Sequence, residues 1–255
     1  MNIGINAICG LTVIPVRADH QDTSEIVTQL LFGETVTIIE IHHQWVKIKI
    51  VHDQYEGWVD NKQLLKVSDS TFESLNKNTK RQHTDLNTLQ TPWGKQHVLQ
   101  GSPILSTSNN FRIDDLQFES HSNSGSNTVY DSLTEIALSY SNSPYLWGGR
   151  TAFGIDCSGF TQTVYHQMNY YLPRDASQQF LKGEPIAFDQ QQPGDLAFFK
   201  SEKTGNIHHV GIILDKEKII HAHGKVRIDT LNPEGVYNED KKYYSHKFTG
   251  IKRYF

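Results

Sequence analysis

From Val46 to Ile50 the chain alternates strictly, with Val46, Ile48 and Ile50 apolar and Lys47 and Lys49 charged. Successive side chains of a strand project to opposite faces, so this period of two predicts a strand with one buried face. Gly33-Glu34 precedes a second apolar run, Val36 to Ile41. His52-Asp53-Gln54 then supplies a hairpin turn, and Tyr55-Glu56-Gly57-Trp58-Val59 follows as a further strand. Residues 1–66 are expected to form a small, strongly curved β-barrel.

Between residues 67 and 128 this periodicity dissolves. Ser, Thr, Asn and Gln dominate, and Val98-Leu99 and Ile104-Leu105 are short apolar runs. The stretch reads as a linker region or as a degenerate second copy of the first barrel. Ser120 to Asn127 cannot bury enough apolar surface to offset the entropy of ordering it, so the linker is expected there, with a domain boundary near residue 128.

From residue 129 to 255 the pattern changes to helices first and strands afterwards. Leu133, Ile136, Ala137 and Tyr140 share one face of a helix expected over Tyr130 to Tyr140, and Pro144 opens a Gly-rich turn. A second helix is expected from Cys157, with Phe160, Val164 and Met168 along one side. Gly194 to Phe199, Val210 to Leu214, Lys218 to Ala222 and Thr249 to Tyr254 then read as short strands. That order indicates an α+β domain with helices packed on an antiparallel sheet.

At 255 residues the chain has room for one catalytic domain and a smaller accessory domain. A net charge of -4, with Lys and Arg scattered, gives no electrostatic reason to expect nucleic acid or a membrane surface as partner. The first nine residues lack a basic, apolar leader, and no segment approaches membrane-spanning length, so a cytoplasmic location is expected. Cys9 and Cys157 are too few for a disulfide framework, and a single bridge between them is the bland reading of both.

The other reading of Cys157 is chemical. A lone cysteine is more often a buried core residue, but this one opens a helix, where unpaired amides and the dipole favour thiolate and are expected to lower its pKa. Ser158 and Gly159 leave room for a substrate, and the Cys157 amide and the Tyr145 phenol are candidate oxyanion donors. Among thirteen histidines, His209 and His221 lie on neighbouring strands across the turn Asp215-Lys216-Glu217. Their side chains are expected within hydrogen-bonding reach, His209 as base and His221 as its orienter. His208 and His223 are expected on opposite faces or off the strands. The competing reading is a metal site of His208, His209, His221 and His223.

Five motifs in this order carry a resemblance. Tyr145-Leu146-Trp147-Gly148-Gly149, Asp156-Cys157-Ser158-Gly159-Phe160, Pro193-Gly194-Asp195-Leu196, His209-Val210-Gly211-Ile212 and Ile220-His221-Ala222 are similar to those of the NlpC family of papain-like bacterial cell-wall cysteine peptidases. Gly57-Trp58-Val59 resembles the last strands of bacterial SH3-like domains, which leaves residues 67–128 as a linker region or a degenerate second SH3-like unit. The combination is similar to the SH3-domain-containing γ-D-glutamyl-meso-diaminopimelate endopeptidases, the dipeptidyl-peptidase VI group.

That resemblance implies Cys157 as nucleophile, His209 as general base and acid, His221 as third member and Tyr145 as an oxyanion or substrate contact. It further implies Glu25, Tyr55 and Asp156 as contacts to the free amine of L-alanine, and Ser158 as a contact to the α-carboxylate of D-glutamate. The substrate implied is a free murein stem peptide, L-Ala-γ-D-Glu-diamino acid, cut without metal or cofactor by an enzyme expected to be monomeric. Amidase or acyl-transfer chemistry on the same scaffold, and a non-catalytic peptidoglycan-binding protein, are the alternatives. One departure stands out: in Arg174-Asp175-Ala176-Ser177-Gln178-Gln179, Ala176 replaces the serine of the family's Arg-x-Ser-x-x-Gln.

Overall fold

The computed structural model describes residues 2–77, 80–82, 86–121, 130 and 132–255. The chain divides into two compact units, Met1–Val129 and Tyr130–Phe255.

The first unit opens with β1 (Asn6–Cys9), β2 (Val13–Arg17), β3 (Ile26–Leu31), β4 (Thr35–His42), β5 (Trp45–Ile50), β6 (Glu56–Asp60) and β7 (Leu64–Lys66). These form an SH3-like antiparallel sheet in the order β3-β2-β6-β5-β4-β1-β7. The expected alternation is realised in β5, where Val46, Ile48 and Ile50 are fully buried beside Ile14, Val36, Ile38 and Val59. The curvature has a local cause at Gly57. A Cβ there would lie 2.5 Å from Val16 Cγ1 and 2.9 Å from the Arg17 carbonyl, so only glycine lets β6 close onto β2.

The residues that follow are more ordered than their composition suggests. Helix α1 (Asp69–Lys77) leads to β8 (Leu86–Thr91), β9 (Gly94–Leu99), β10 (Asn110–Ile113) and β11 (Leu116–His121), a four-stranded sheet in the order β10-β11-β8-β9. Leu89, Ile113 and Phe118 share a buried cluster with Ile8, Phe32 and Val67, which ties this sheet to the seven-stranded one. Of the expected linker, Ser120 and His121 end β11, and residues 122–127 lie outside the described residues.

The second unit contains α2 (Leu133–Ser139), β12 (Arg150–Thr151), β13 (Gly154–Ile155), α3 (Cys157–Gln167) and α4 (Ala176–Phe180). Its strands are β14 (Glu184–Ile186), β15 (Leu196–Lys200), β16 (Ile207–Ile213), β17 (Lys218–His223), β18 (Lys225–Asn232), β19 (Gly235–Asn238) and β20 (Tyr243–Arg253). Helix α2 starts later than the sequence suggests because Ser132 caps it, accepting from the Glu135 amide at 3.2 Å. The sheet runs β14-β20-β15-β16-β17-β18-β19, every pair antiparallel, and a further β19–β20 pairing closes β15 to β20 into a barrel.

Strand alternation then sorts the core. Leu196, Phe198, Val210, Ile212, Ile220 and Ala222 pack on the helices, while Ala197, Phe199, Ile213, Ile219, Leu231, Val236 and Ile251 form the other cluster, on the opposite face of the strands. Each large apolar side chain buried this way contributes about 1.5–3 kcal/mol. Helix α3 departs from the one-sided stripe expected of it, being buried along its entire length. Its polar residues are accommodated by specific bonds: Thr161 donates to Gln179 Oε1 at 2.8 Å, and Gln162 donates to the Leu172 carbonyl at 3.1 Å. Among the described residues no helix is long and apolar enough to cross a membrane.

Candidate active site

Two glycines bring the chain together at the start of α3. A Cβ on Gly149 would strike the Gly154 carbonyl, and a Cβ on Gly159 would strike the Gly149 carbonyl, so the Gly-rich turn and the first turn of α3 can touch only without side chains. Asp156 caps the helix, its Oδ1 accepting from the Gly159 amide at 2.7 Å and its Oδ2 from the Gly148 amide at 2.8 Å. The buried Arg174 locks this corner, donating to Asp156 Oδ2 at 2.5 Å and to Ser158 Oγ at 2.9 Å. Gln179 completes the frame by donating to the Ser158 carbonyl at 3.1 Å. Ala176 is buried in the core and Ser177 is exposed, so the shifted serine does not fill the place of the replaced one.

Cys157 therefore projects from a rigid helix start toward β16. β16 pairs with β17 only at Ile212↔Ile220 and Ile213↔Ile219, so the backbone around His209 is left open on that side. The Cys157 thiol lies 3.9 Å from the His208 carbonyl and receives the Val210 amide, which sets it against the strand segment that carries His209. Both cysteines are free thiols, so the bridge between Cys9 and Cys157 is not formed.

From His209 a line of hydrogen bonds runs into the barrel. His209 Nε2 and His221 Nδ1 are 2.8 Å apart, and His221 Nε2 is 2.9 Å from Asp229 Oδ2. A carboxylate only accepts, so His221 carries its proton on Nε2, its Nδ1 accepts from His209 Nε2–H, and His209 Nδ1 is left as a lone pair. Extending the β16–β17 register sets Gly211 opposite His221. A Cβ on Gly211 would lie 2.7 Å from His221 Cβ, so the glycine after His209-Val210 makes room for the second imidazole.

The electrostatics differ from the helix-dipole expectation. Burial pushes the Cys157 thiol up to about 12 and the Asp156 charge adds to the rise, while the Val210 amide, Arg174 and the Ser158 amide pull the other way. Burial likewise holds His209 well below the usual histidine range, helped by the neighbouring imidazoles of His246, His221, His223 and His208. The thiol and the His209 imidazole are thus both neutral at rest. Burial also lowers His221, against the opposing pull of Asp229. Burial alone would raise the Asp229 carboxyl, but its bonds to His221 and Arg227 outweigh that and hold it ionised below its ordinary range. Tyr145 is raised by burial and then by its neighbours Cys157 and Asp156, beside which a phenolate would be repelled, so its phenol stays a protonated donor.

The structure thus gathers Tyr145, Asp156, Cys157, Ser158, His209 and His221 within the second unit. Glu25 and Tyr55 belong to the first unit: Glu25 is an exposed residue just before β3, and Tyr55 packs on the barrel core. His223 corrects an expectation. Being two residues from His221 on one strand, it shares that face, and the two rings stack 4° from parallel.

Sequence reasoning missed Asp229, Arg227 and His246. Asp229 could have been sought in the alternation Arg227, Asp229, Leu231 just beyond the Gly224 turn, but the β17–β18 register is needed to aim it at His221. His209, His221 and His246 bring donor nitrogens within 4.8 Å of one another. Zinc sits ~2.0–2.1 Å from an imidazole nitrogen along its in-plane lone pair. The rings of His209 and His246 are stacked 18° from parallel, so their planes do not meet at that distance. The His209–His221–Asp229 line is instead hydrogen-bonded from end to end.

Residues 142–253 match the NlpC/P60 family, and residues 16–64 match the bacterial dipeptidyl-peptidase SH3 domain. The gamma-D-glutamyl-L-lysine dipeptidyl-peptidase of Bacillus cereus (strain ATCC 10987 / NRS 248) is 28% identical over 263 residues, covering 91% of this chain and 76% of that one. The enzyme of the same name from Bacillus subtilis (strain 168) is 29% identical, covering 77% and 72%. The crystal structure of an NlpC/P60 family protein from Bacillus cereus ATCC 10987 shares the fold, with a TM-score of 0.74 at 22% identity over 98% of this chain and 99% of that one.

Proposed function

The chain belongs to the NlpC/P60 family of cell-wall peptidases and carries a bacterial SH3 domain, and from that premise we propose that it is a cysteine endopeptidase. Its proposed substrate is a free murein stem peptide with an amino-terminal L-alanine. The bond cut is the amide between the γ-carboxyl of D-glutamate and the following diamino acid. The names of relatives that span most of this chain support the bond and favour lysine at the leaving position. The observation that carries the chemistry is the relay Asp229–His221–His209, which leaves one imidazole lone pair for a thiol set against the same strand.

Because the thiol rests protonated, attack and proton transfer are coupled. The sulfur of Cys157 bonds to the γ-carbonyl carbon as its proton passes to His209, and Asp229 stabilises the cation spread over the two imidazoles. Tyr145 and the Cys157 amide donate to the oxyanion. As that intermediate collapses, the C–N bond breaks and His209 returns the proton to the leaving amine. Water then attacks the thioester with His209 again as base, releasing L-Ala-D-Glu and the thiol. Ser158, held by Arg174, is the proposed contact for the α-carboxylate, and Asp156 the proposed contact for the free amine.

Incubation of the protein and of C157A with L-Ala-γ-D-Glu-L-Lys, its meso-diaminopimelate counterpart and the amino-acetylated forms, read by mass spectrometry, tests this. Release of L-Ala-D-Glu from the free peptides by the wild type alone is expected. Undiminished turnover by C157A, or cleavage at another bond, would overturn it.

A further inference from the structure

We propose that His246 is a positioning residue for the general base: its ring lies flat on that of His209 and fixes the plane in which His209 presents Nδ1 to the thiol. This rests on the assignment of His209 as proton acceptor. The two ring centroids are 3.8 Å apart and the planes 18° from parallel. The hydrogen bond from His209 to His221 cannot set that plane alone. Nε2 lies near the axis of rotation about the Cβ–Cγ bond, so the ring can twist while keeping the bond, and Nδ1 swings away from the sulfur. A flat contact on the ring face removes that freedom.

His246 is itself firmly held. It sits on β20 opposite Val236 of β19, its Nδ1 is 2.9 Å from Ser245 Oγ, and the His223 ring meets it edge-on at 4.8 Å. The backbone is fitted to it as well: Gly235 has φ +149°, and a Cβ there would run into the His246 carbonyl. The strand pairing that closes the barrel thus delivers this imidazole to the catalytic one.

The contact also suits the charge that appears during turnover. When His209 takes the proton it becomes a cation pressed on an aromatic face, which is attractive provided the second ring is neutral. Burial holds His246 down to about 2, with the imidazoles of His221, His223 and His208 acting in the same direction and Asp229 opposing them. Facing His246 are His208 and His209 of β16, His221 and His223 of β17, and Asp229 of β18. A cavity of about 640 Å³, lined by His208, Ser245, His246 and Lys247 among others, lies against the same ring.

The test compares H246A and H246F with the wild type on the tripeptide. Since misplacing a reacting group by about 1 Å costs on the order of 100-fold, H246A is expected to lower kcat by roughly 10- to 100-fold with KM within about twofold. H246F, which restores a flat face, is expected to regain most of kcat, and free imidazole, entering by the cavity, to rescue H246A in a dose-dependent way. The acid limb of kcat/KM should move up in H246A, as water admitted beside His209 relieves its burial, and stay in place in H246F. Alkylation of Cys157 by iodoacetamide at neutral pH needs the same proton acceptor but no peptide. It should slow in H246A and recover in H246F even if the wild type cleaves none of the peptides, which separates this inference from the substrate assignment. Wild-type kcat and alkylation in H246A, or equal losses in H246A and H246F that follow their melting temperatures, would overturn it.

Discussion

Replacing Asp229 by Asn keeps the shape of the side chain and inverts one hydrogen bond. Asp229 is 4% exposed, with Oδ2 at 2.9 Å from His221 Nε2 and Oδ1 at 2.7 Å from Arg227. Arg227 can only donate, so the Asn carbonyl must face it, and the Asn NH2 then faces His221. His221 must shift its proton to Nδ1, and His209 must in turn accept at Nε2 and carry its proton on Nδ1, toward the sulfur. The base is then blocked by its own proton. The same inversion in a serine-protease triad lowers kcat about 10⁴-fold, and the extra imidazole here gives the system one more place to adjust. We therefore expect D229N to lower kcat by about 10²- to 10⁴-fold, equivalent to ~2.7–5.4 kcal/mol in the barrel-side support of the transition state. KM should change little, because Asp229 touches no substrate. Steady-state kinetics on L-Ala-γ-D-Glu-L-Lys, with folding checked by circular dichroism, measures both. A kcat within threefold of the wild type in a folded D229N protein would show that the tautomer chain does not govern the reaction.

Acid should weaken the fold through the same histidines. His209, His221 and His246 resist protonation when folded, whereas the unfolded chain takes up protons below pH ~6.5. Stability therefore falls as pH drops through that value, by about 2 kcal/mol at pH 5 for His246 alone; thermal melts at pH 7.5 and 5 should show a smaller loss in H246F than in the wild type. G211A forces a methyl to within 2.7 Å of His221 Cβ, so it should cost ~1–3 kcal/mol of stability and a larger share of kcat than of KM, read by melting and kinetics. R174A leaves Asp156 buried without its cation and should be destabilising by about 3–5 kcal/mol, while R174K should recover part of the stability but not the bidentate contact to Asp156 and Ser158.

What the sequence reveals about this site follows from how local each feature is. Cys157 at a helix start is legible because the cap Asp156 and the small residues Ser158 and Gly159 are neighbours in the chain. The pair His209 and His221 is legible because one short turn separates their strands. Asp229 and His246 depend on strand register and on β19 pairing with β20, neither of which leaves a periodic mark in the chain. The thiol shows a different limit. A helix N-terminus does favour thiolate, but full burial beside Asp156 is the larger effect, and burial comes from packing that no local motif records. His223 shows that strand period alone sufficed where it was not applied. In the first unit, the polar composition of residues 67–121 conceals a sheet from which Leu89, Ile113 and Phe118 join Ile8, Phe32 and Val67 in one buried cluster.

The most direct test of the mechanism is rapid quenching of the wild-type protein with L-Ala-γ-D-Glu-L-Lys, followed by mass spectrometry of the peptide that contains Cys157. A transient L-Ala-D-Glu thioester on Cys157, formed quickly by the wild type and far more slowly by D229N, is the predicted result. Steady release of L-Ala-D-Glu with no acyl group on Cys157 at any time, or an acyl group on another residue, would contradict it.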